Sequence, residues 1–282
     1  MAALAAALLI AGCAVAPPPV AILIDDLGYR RTEGAAAIAL PGPVAVAVLP
    51  HTPHGPLLAR AARAAGKEVL LHMPMEADTR HTGLGQGALR VRMDRAAFDN
   101  TLRNALASVP HLSGLNNHMG SRLTRDPERM NWLMGTLRRA GPRFFVDSRT
   151  TPQTVAARAA RHHGLAHLSR DVFLDTSPSR GAIARALREL VGIAHRQGSA
   201  LAIGHPLPQT LAALAAWNPA REGVRLVSLQ ALLVHRARAL PGPAPHLAAG
   251  FATETACAHP PPPDLAGDQV RFTPLVVARD AP

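Results

Sequence analysis

From residue 20 to about residue 235, short runs rich in Val, Ile and Leu alternate with longer Ala/Arg/Leu segments whose apolar residues recur at helical spacing. The spacing predicts strands over 20–24, 44–49, 68–71, 114–116, 143–146, 200–203 and 225–227. It predicts helices over 55–65, 95–107, 127–140, 151–162, 180–197 and 208–216. Strict β/α alternation of this kind makes a parallel sheet covered by helices. About seven repeats in about 215 residues suit a distorted or incomplete (β/α) barrel. An open doubly wound sheet is the alternative.

Composition limits what such a barrel can be built from and what it can bind. Aromatic residues are only 3% of the chain, so the core must be aliphatic. The formal charge is +11, but Lys67 is the only lysine and the arginines are scattered. No run of five basic residues occurs and no aromatic platform lies among them, which argues against nucleic acid as a partner. An acidic polymer or an anionic membrane surface remains compatible with this charge.

The two ends have different character. Residues 1–19 read as a leader: an apolar run, then Gly12-Cys13, then Pro17-Pro18-Pro19. Small residues before a cysteine resemble a bacterial lipoprotein box, making Cys13 a lipidation candidate and allowing membrane anchoring through the N-terminus. An ordinary export signal or a buried cysteine are the alternatives, and the leader lacks the usual basic start. The expectation is export to the periplasm or envelope. Residues 240–282, interrupted by repeated prolines and carrying Cys257, read as a flexible tail. The domain proper is expected over 20–239.

Polar residues with chemical capacity fall at the C-terminal ends of the strand runs, where parallel α/β folds bind ligands. The first run ends in Ile24-Asp25-Asp26-Leu27-Gly28. Adjacent carboxylates at a buried strand end are costly unless something positive meets them, and a metal ion answers that need. Strand geometry turns neighbours to opposite sides, so one aspartate can bind metal while the other acts as a base. Alternatively, one caps a helix and the other is solvated.

The third run ends in Leu71-His72-Met73-Pro74-Met75-Glu76, where Glu76 can orient an imidazole or act in the site, and His72 can equally be a core residue. Asn116-Asn117-His118-Met119-Gly120-Ser121 makes a polar knot at the fourth strand, or simply an Asn-rich turn. Further strand ends carry Phe145-Val146-Asp147-Ser148, Arg170-Asp171-Val172-Phe173-Leu174-Asp175 and Ile203-Gly204-His205-Pro206. Ser148 or Thr150 can serve as a helix cap. Each signal is weak alone, but several strands deliver Asp and His to one rim. Such O/N ligands without cysteine suit one divalent metal, Zn first, with Mn, Fe, Co or Ni also compatible. There is no HExxH, GxSxG or Walker loop, and neither cysteine lies in a catalytic context.

This ordered set of motifs, over residues 20–233, resembles the divergent polysaccharide deacetylase family, relatives of the NodB-type carbohydrate esterases of the bacterial envelope. The resemblance implies a NodB-like barrel of the glycoside hydrolase/deacetylase kind with a metal at the strand ends. It assigns Asp25 as general base, Asp26 as metal ligand and His205 as the group that protonates the leaving amine. The NodB pattern also has two histidines four residues apart. Here Glu76 follows His72 at that distance and Arg122 follows His118. The resemblance is repaired if His72 and His118, from neighbouring strands, both reach the metal. Glu76, Asn117, Ser121, Asp147 and Asp171 are then candidates for supporting the ligands or the substrate, with Asp147 or Asp171 orienting a histidine.

Two functions follow. One is metal-dependent hydrolysis of N- or O-acetyl groups on an envelope or extracellular glycan. The other is a catalytically inactive envelope protein that keeps the fold and binds glycan or a protein partner. The missing histidine pair favours the second, and Asp25 with His205 favours the first. Tyr29, close after the aspartate pair, either lines a sugar cleft or packs at a helix start.

Overall fold

The computed structural model describes residues 16–78, 84–141 and 143–239. Cys13, most of the expected leader and the expected tail from 240 lie outside them. The strands are β1 (Pro19–Leu27), β2 (Ala45–Val48), β3 (Val69–Met75), β4 (Leu112–Met119), β5 (Phe144–Asp147), β6 (His167–Ser169), β7 (Val172–Phe173), β8 (Ala200–Gly204) and β9 (Arg225–Leu226). The helices are α1 (Arg31–Ile38), α2 (Gly55–Ala64), α3 (Arg95–Ser108), α4 (Pro127–Arg139), α5 (Ala156–His162), α6 (Arg180–Gln197), α7 (Pro208–Ala216) and α8 (Leu229–Ala239).

Local chemistry sets the helix ends. Asp94, Asp126 and Ser179 each accept the backbone N–H three residues on, capping α3, α4 and α6. Gly198, at φ 81°, ends α6 in the left-handed conformation. The sequence reading missed α1 and α8, and it began α5 five residues early. Helix α1 has almost no apolar face to read, being rich in alanine.

Every strand pairing is parallel, in the order β6-β5-β4-β3-β2-β1-β8-β7, with β9 beside the start of β1. The sheet is a curled α/β barrel, as expected, and not an open doubly wound sheet. Its two edge strands, β6 and β7, are separated by two residues only. Arg170 N–H donates to the Asp147 carbonyl of β5, and the next N–H, of Asp171, donates to the Leu201 carbonyl of β8. One extended stretch therefore leaves the β5 side and joins the β8 side, drawing the edges together. These two short strands escaped the sequence reading because a partner switch breaks any continuous apolar run.

Two buried layers follow from the two faces of the strands. The outer layer holds Ile22, Ile24, Val46, Val48, Leu71 and Met73 against helix residues such as Leu58, Phe98, Leu133 and Ile183. The inner layer holds Ala21, Leu23, Ala45, Ala47, Leu70, Phe144, Val146, Leu201 and Ile203, joined by Leu229, Leu232 and Leu233 of α8. Small alanines on β1 and β2 leave room for the inward Phe144. Glu68, just before β3, accepts the Leu229 and Gln230 N–H groups at the start of α8, which fixes that helix against the barrel. Among the described residues no helix is long and apolar enough to cross a membrane.

Candidate metal centre

Each inward row of the barrel turns polar at its C-terminal end. Beyond Ala21 and Leu23 the next inward residue is Asp25; beyond Leu70 it is His72; beyond Leu201 and Ile203 it is His205. On β4 the row Gly114, Asn116, His118 faces β3 in register, with His72 opposite Asn116 and Pro74 opposite His118. This polar layer, lying on the aliphatic inner layer, is the floor of the site.

Asp26 would point away from this floor if β1 stayed regular. It does not. The β1–β2 register shifts between Ile24 and Leu27, and Asp26 adopts φ 62°. Aspartate tolerates that left-handed geometry better than most residues, and the bulge re-aims its carboxylate into the mouth. Gly28 completes the turn: at φ +133°, a Cβ there would lie 2.1 Å from Thr52 Oγ1.

Three ligand atoms then converge. Asp26 Oδ1 lies 3.1 Å from His72 Nε2 and 3.0 Å from His118 Nδ1, and the two nitrogens are 3.1 Å apart. Atoms bound about 2.0–2.1 Å from one ion stand roughly 3.0–3.4 Å from each other, so the triangle fits a single small divalent cation. Among the described residues the buried Asp26 Oδ1 has no hydrogen-bond partner of good geometry, so its lone pairs are open to a cation. Burial alone would raise the Asp26 carboxyl, but the two imidazoles outweigh it and hold it well below the usual carboxylate range.

The tautomer of His72 is set by its neighbours. The two hydrogens of Asn116 Nδ2 point to Asp25 Oδ1 at 2.8 Å and Ser148 Oγ at 3.2 Å. Asn116 Oδ1 must then accept from His72 Nδ1, 2.9 Å away, leaving the Nε2 lone pair free for metal. Substituting Asn116→Leu should weaken metal binding about 10–100-fold, measured by competition with a chromogenic chelator, while Asn116→Asp should retain more of it.

Two further groups flank the triangle. Asp25 is buried, with Oδ2 3.6 Å from His72 Nε2. Burial raises its carboxyl above the ordinary value, partly offset by His72 and His205. His205 sits opposite, with Nε2 3.9 Å from Asp26 Oδ2 and Nδ1 2.8 Å from Asp175 Oδ1. Asp175 also accepts the His205 backbone N–H and the Thr210 hydroxyl. Burial works against a charged His205 ring, but Asp175, Asp25 and Asp26 outweigh it and push its pKa up to about 9.

The other residues singled out in the sequence take different places. Among the described residues neither Asp147 nor Asp171 is hydrogen-bonded to a histidine; Asp175 is the carboxylate that orients one. Asp147 accepts Arg149 N–H and the Thr154 hydroxyl, and Asp171 accepts Leu201 N–H and pairs with Arg236. Among the described residues Glu76 pairs with no imidazole: it accepts Val91 N–H and pairs with Arg122, tying two loops. Asn117 braces Met119 and Ser148, and Ser121 Oγ accepts Asp78 N–H. These are loop pins, satisfying backbone groups that a tight rim leaves open. The supporting groups that the sequence reading quoted without a place among the site residues are Asn116, Ser148 and Asp175. Asn116 carried a signal: it stands two residues before His118, on the same inward face.

The fold and site together define a parallel α/β barrel that gathers an Asp–His–His cluster at the carboxyl ends of its strands, flanked by a second Asp and an Asp-oriented His. The chain belongs to the divergent polysaccharide deacetylase family, whose model matches residues 22–233. It is a carbohydrate deacetylase-like protein. A Haemophilus influenzae protein described as uncharacterized is 38% identical over 196 residues, 70% of this chain and 69% of that one. YibQ of Escherichia coli K12, likewise described as uncharacterized, is 39% identical over 209 residues, 74% of this chain and 65% of its own length. A crystal structure of an uncharacterized Agrobacterium tumefaciens protein shares the fold, with TM-score 0.73 and 24% identity over 77% of this chain and 90% of that one.

Proposed function

We propose that this protein is a metal-dependent carbohydrate deacetylase that removes N- or O-acetyl groups from an envelope or extracellular glycan. The observation that carries the reading is the triangle of Asp26, His72 and His118 with an unsatisfied Asp26 Oδ1, bracketed by Asp25 and the His205–Asp175 pair. Family membership supports a glycan as the ligand. Export fits the same reading, resting on the apolar leader and Cys13.

Asp26 Oδ1, His72 Nε2 and His118 Nδ1 are the residues that would hold the ion, with zinc the first choice for this N₂O donor set. A bound divalent ion supplies Lewis-acid polarisation of the acetyl carbonyl and a more acidic water. Asp25 takes a proton from the attacking water; its burial raises its basicity for that task. His205 delivers a proton from Nε2 to the departing amine or alcohol while Asp175 holds Nδ1–H. The acyl C–N or C–O bond breaks, and acetate and the free amine or alcohol leave.

The test is elemental analysis of the full chain, followed by acetate release from a panel of N- and O-acetylated oligosaccharides. About one ion per chain with acetate release establishes the reaction. Bound metal with glycan binding but no acetate release selects the non-catalytic glycan-binding reading instead. No metal after supplementation with zinc, manganese and iron rejects the hydrolytic mechanism.

A further inference from the structure

Five non-glycine residues among those described have positive φ: Asp26, His51, His111, Met119 and Arg149. Four of them, all but His111, sit at or just past the C-terminal ends of β1, β2, β4 and β5. Backbone strain is thus concentrated on the rim that carries the metal centre, as expected of a site whose geometry matters more than local comfort. Asp26 is accounted for by the triangle. Met119 offers its carbonyl to Asn117 and Thr150, which shapes the rim. Arg149, at φ 47°, has no such explanation, because its side chain is exposed and a glycine would suit that backbone better.

Arg149 is held in place from three directions. Its N–H donates to Asp147 Oδ1 at 2.9 Å, its carbonyl accepts Arg170 Nη2 at 2.9 Å, and the preceding carbonyl, of Ser148, accepts Arg170 Nε at 2.7 Å. Arg170 is itself fixed, its guanidinium stacked 3.7 Å from the centroid of the Phe173 ring, which in turn stacks on His205. Ser148, next in the chain, reaches Asn116 in the floor of the site. Arg149 is therefore one residue removed from the polar floor and braced by a column that ends on His205.

Its charge also has no carboxylate partner among the described residues. Other arginines around this rim have carboxylate partners, Arg122 with Glu76 and Arg125 with Asp78. Among the described residues neither Arg149 nor Arg170 forms an ion pair, and the nearby Asp147 is turned to Arg149 N–H and Thr154 instead. An exposed arginine whose backbone is held one residue from the polar floor, and which has no carboxylate partner among the described residues, is suited to receive an anion.

We infer that Arg149 is a specificity-determining residue and that the acetylated glycan bound at this rim carries an anionic substituent, a carboxylate or phosphate, near the acetyl group. Arg170 is its positioning residue. The inference rests on the glycan reading of the site but not on turnover, so binding and acetate release are measured separately.

The probes are oligomers of N-acetylglucosamine and the same oligomers with C6 oxidised to carboxylate. Affinities of the metal-loaded full chain are taken by calorimetry, with acetate release recorded in parallel. The carboxylated oligomer should bind more tightly, by roughly ten- to hundred-fold, with the preference falling as salt is raised. Arg149→Gln should abolish the preference and leave affinity for the neutral oligomer unchanged. Arg149→Gly, which suits the positive φ, should lose the preference while folding at least as stably. Arg149-dependent preference without acetate release from either oligomer upholds the inference while the hydrolase reading fails. Equal affinity for the two oligomers, binding of neither, or a preference that survives both substitutions overturns it, even where acetate release from the neutral oligomer shows the hydrolase reading intact.

Discussion

Asp26→Ala should reduce bound metal from about one ion per chain to background and abolish acetate release, while the barrel stays folded. Asp26 supplies the only anionic atom of the triangle, and its Oδ1 stands 3.0–3.1 Å from both imidazole nitrogens. Without it, two neutral nitrogens must hold a dication, and the loss should exceed the roughly 10–100-fold typical of outer supporting groups. Alanine disfavours the φ of 62° that Asp26 adopts. Asp26→Asn tolerates that conformation, removes the charge, and should give the same metal loss, separating ligation from backbone strain. A melting measurement adds an independent readout. Ion present at 100 times its dissociation constant should stabilise the wild type by about 2.7 kcal/mol and either variant hardly at all. Retention of one tightly held ion by both variants would place the metal elsewhere.

Asp175→Asn should lower acetate release by roughly 10²–10⁴-fold with metal content unchanged. Three donors converge on the Asp175 carboxylate: His205 Nδ1–H, His205 backbone N–H and the Thr210 hydroxyl, all at 2.7–2.8 Å. An amide of the same shape has one acceptor oxygen and must turn its NH₂ toward one of those donors. Either the His205 ring rotates, or its Nδ1 becomes the acceptor of the amide N–H and the ring stays neutral. In both cases the imidazolium that would deliver a proton from Nε2 loses the Asp175 charge that stabilises it. The three atoms proposed to hold the ion lie on other residues, so elemental analysis should be unaffected. If acetate release survives in Asp175→Asn, His205 is not the proton donor.

Much of this was readable before any tertiary structure. Alternation of aliphatic runs with helical segments is a property of near neighbours in the chain, and it indicated a parallel α/β sheet, with a barrel preferred to an open doubly wound sheet. The inward row of β1, Ala21–Leu23–Asp25, keeps a period of two, so the turn from apolar to polar along one strand marked where a ligand would sit. The motif order carried the family resemblance, and the family match over residues 22–233 agrees with it.

What the sequence could not separate was ligand from loop pin. Glu76, Asn117, Ser121 and Asp147 have the same donors and acceptors as site residues and stand at the same strand ends. A tight rim leaves backbone groups open, and polar side chains that close them look identical in one dimension. Only the lateral pairing of the strands decides between the two. His72 and His118 are 46 residues apart, and the β3–β4 register with the curl of the barrel brings Nε2 of one within 3.1 Å of Nδ1 of the other. Asp175 meets His205 because the stretch from His167 changes partners between β5 and β8. Periodicity is encoded locally and survives in the sequence; register and curvature are settled by the packing of the whole barrel, and they select which polar groups become the site.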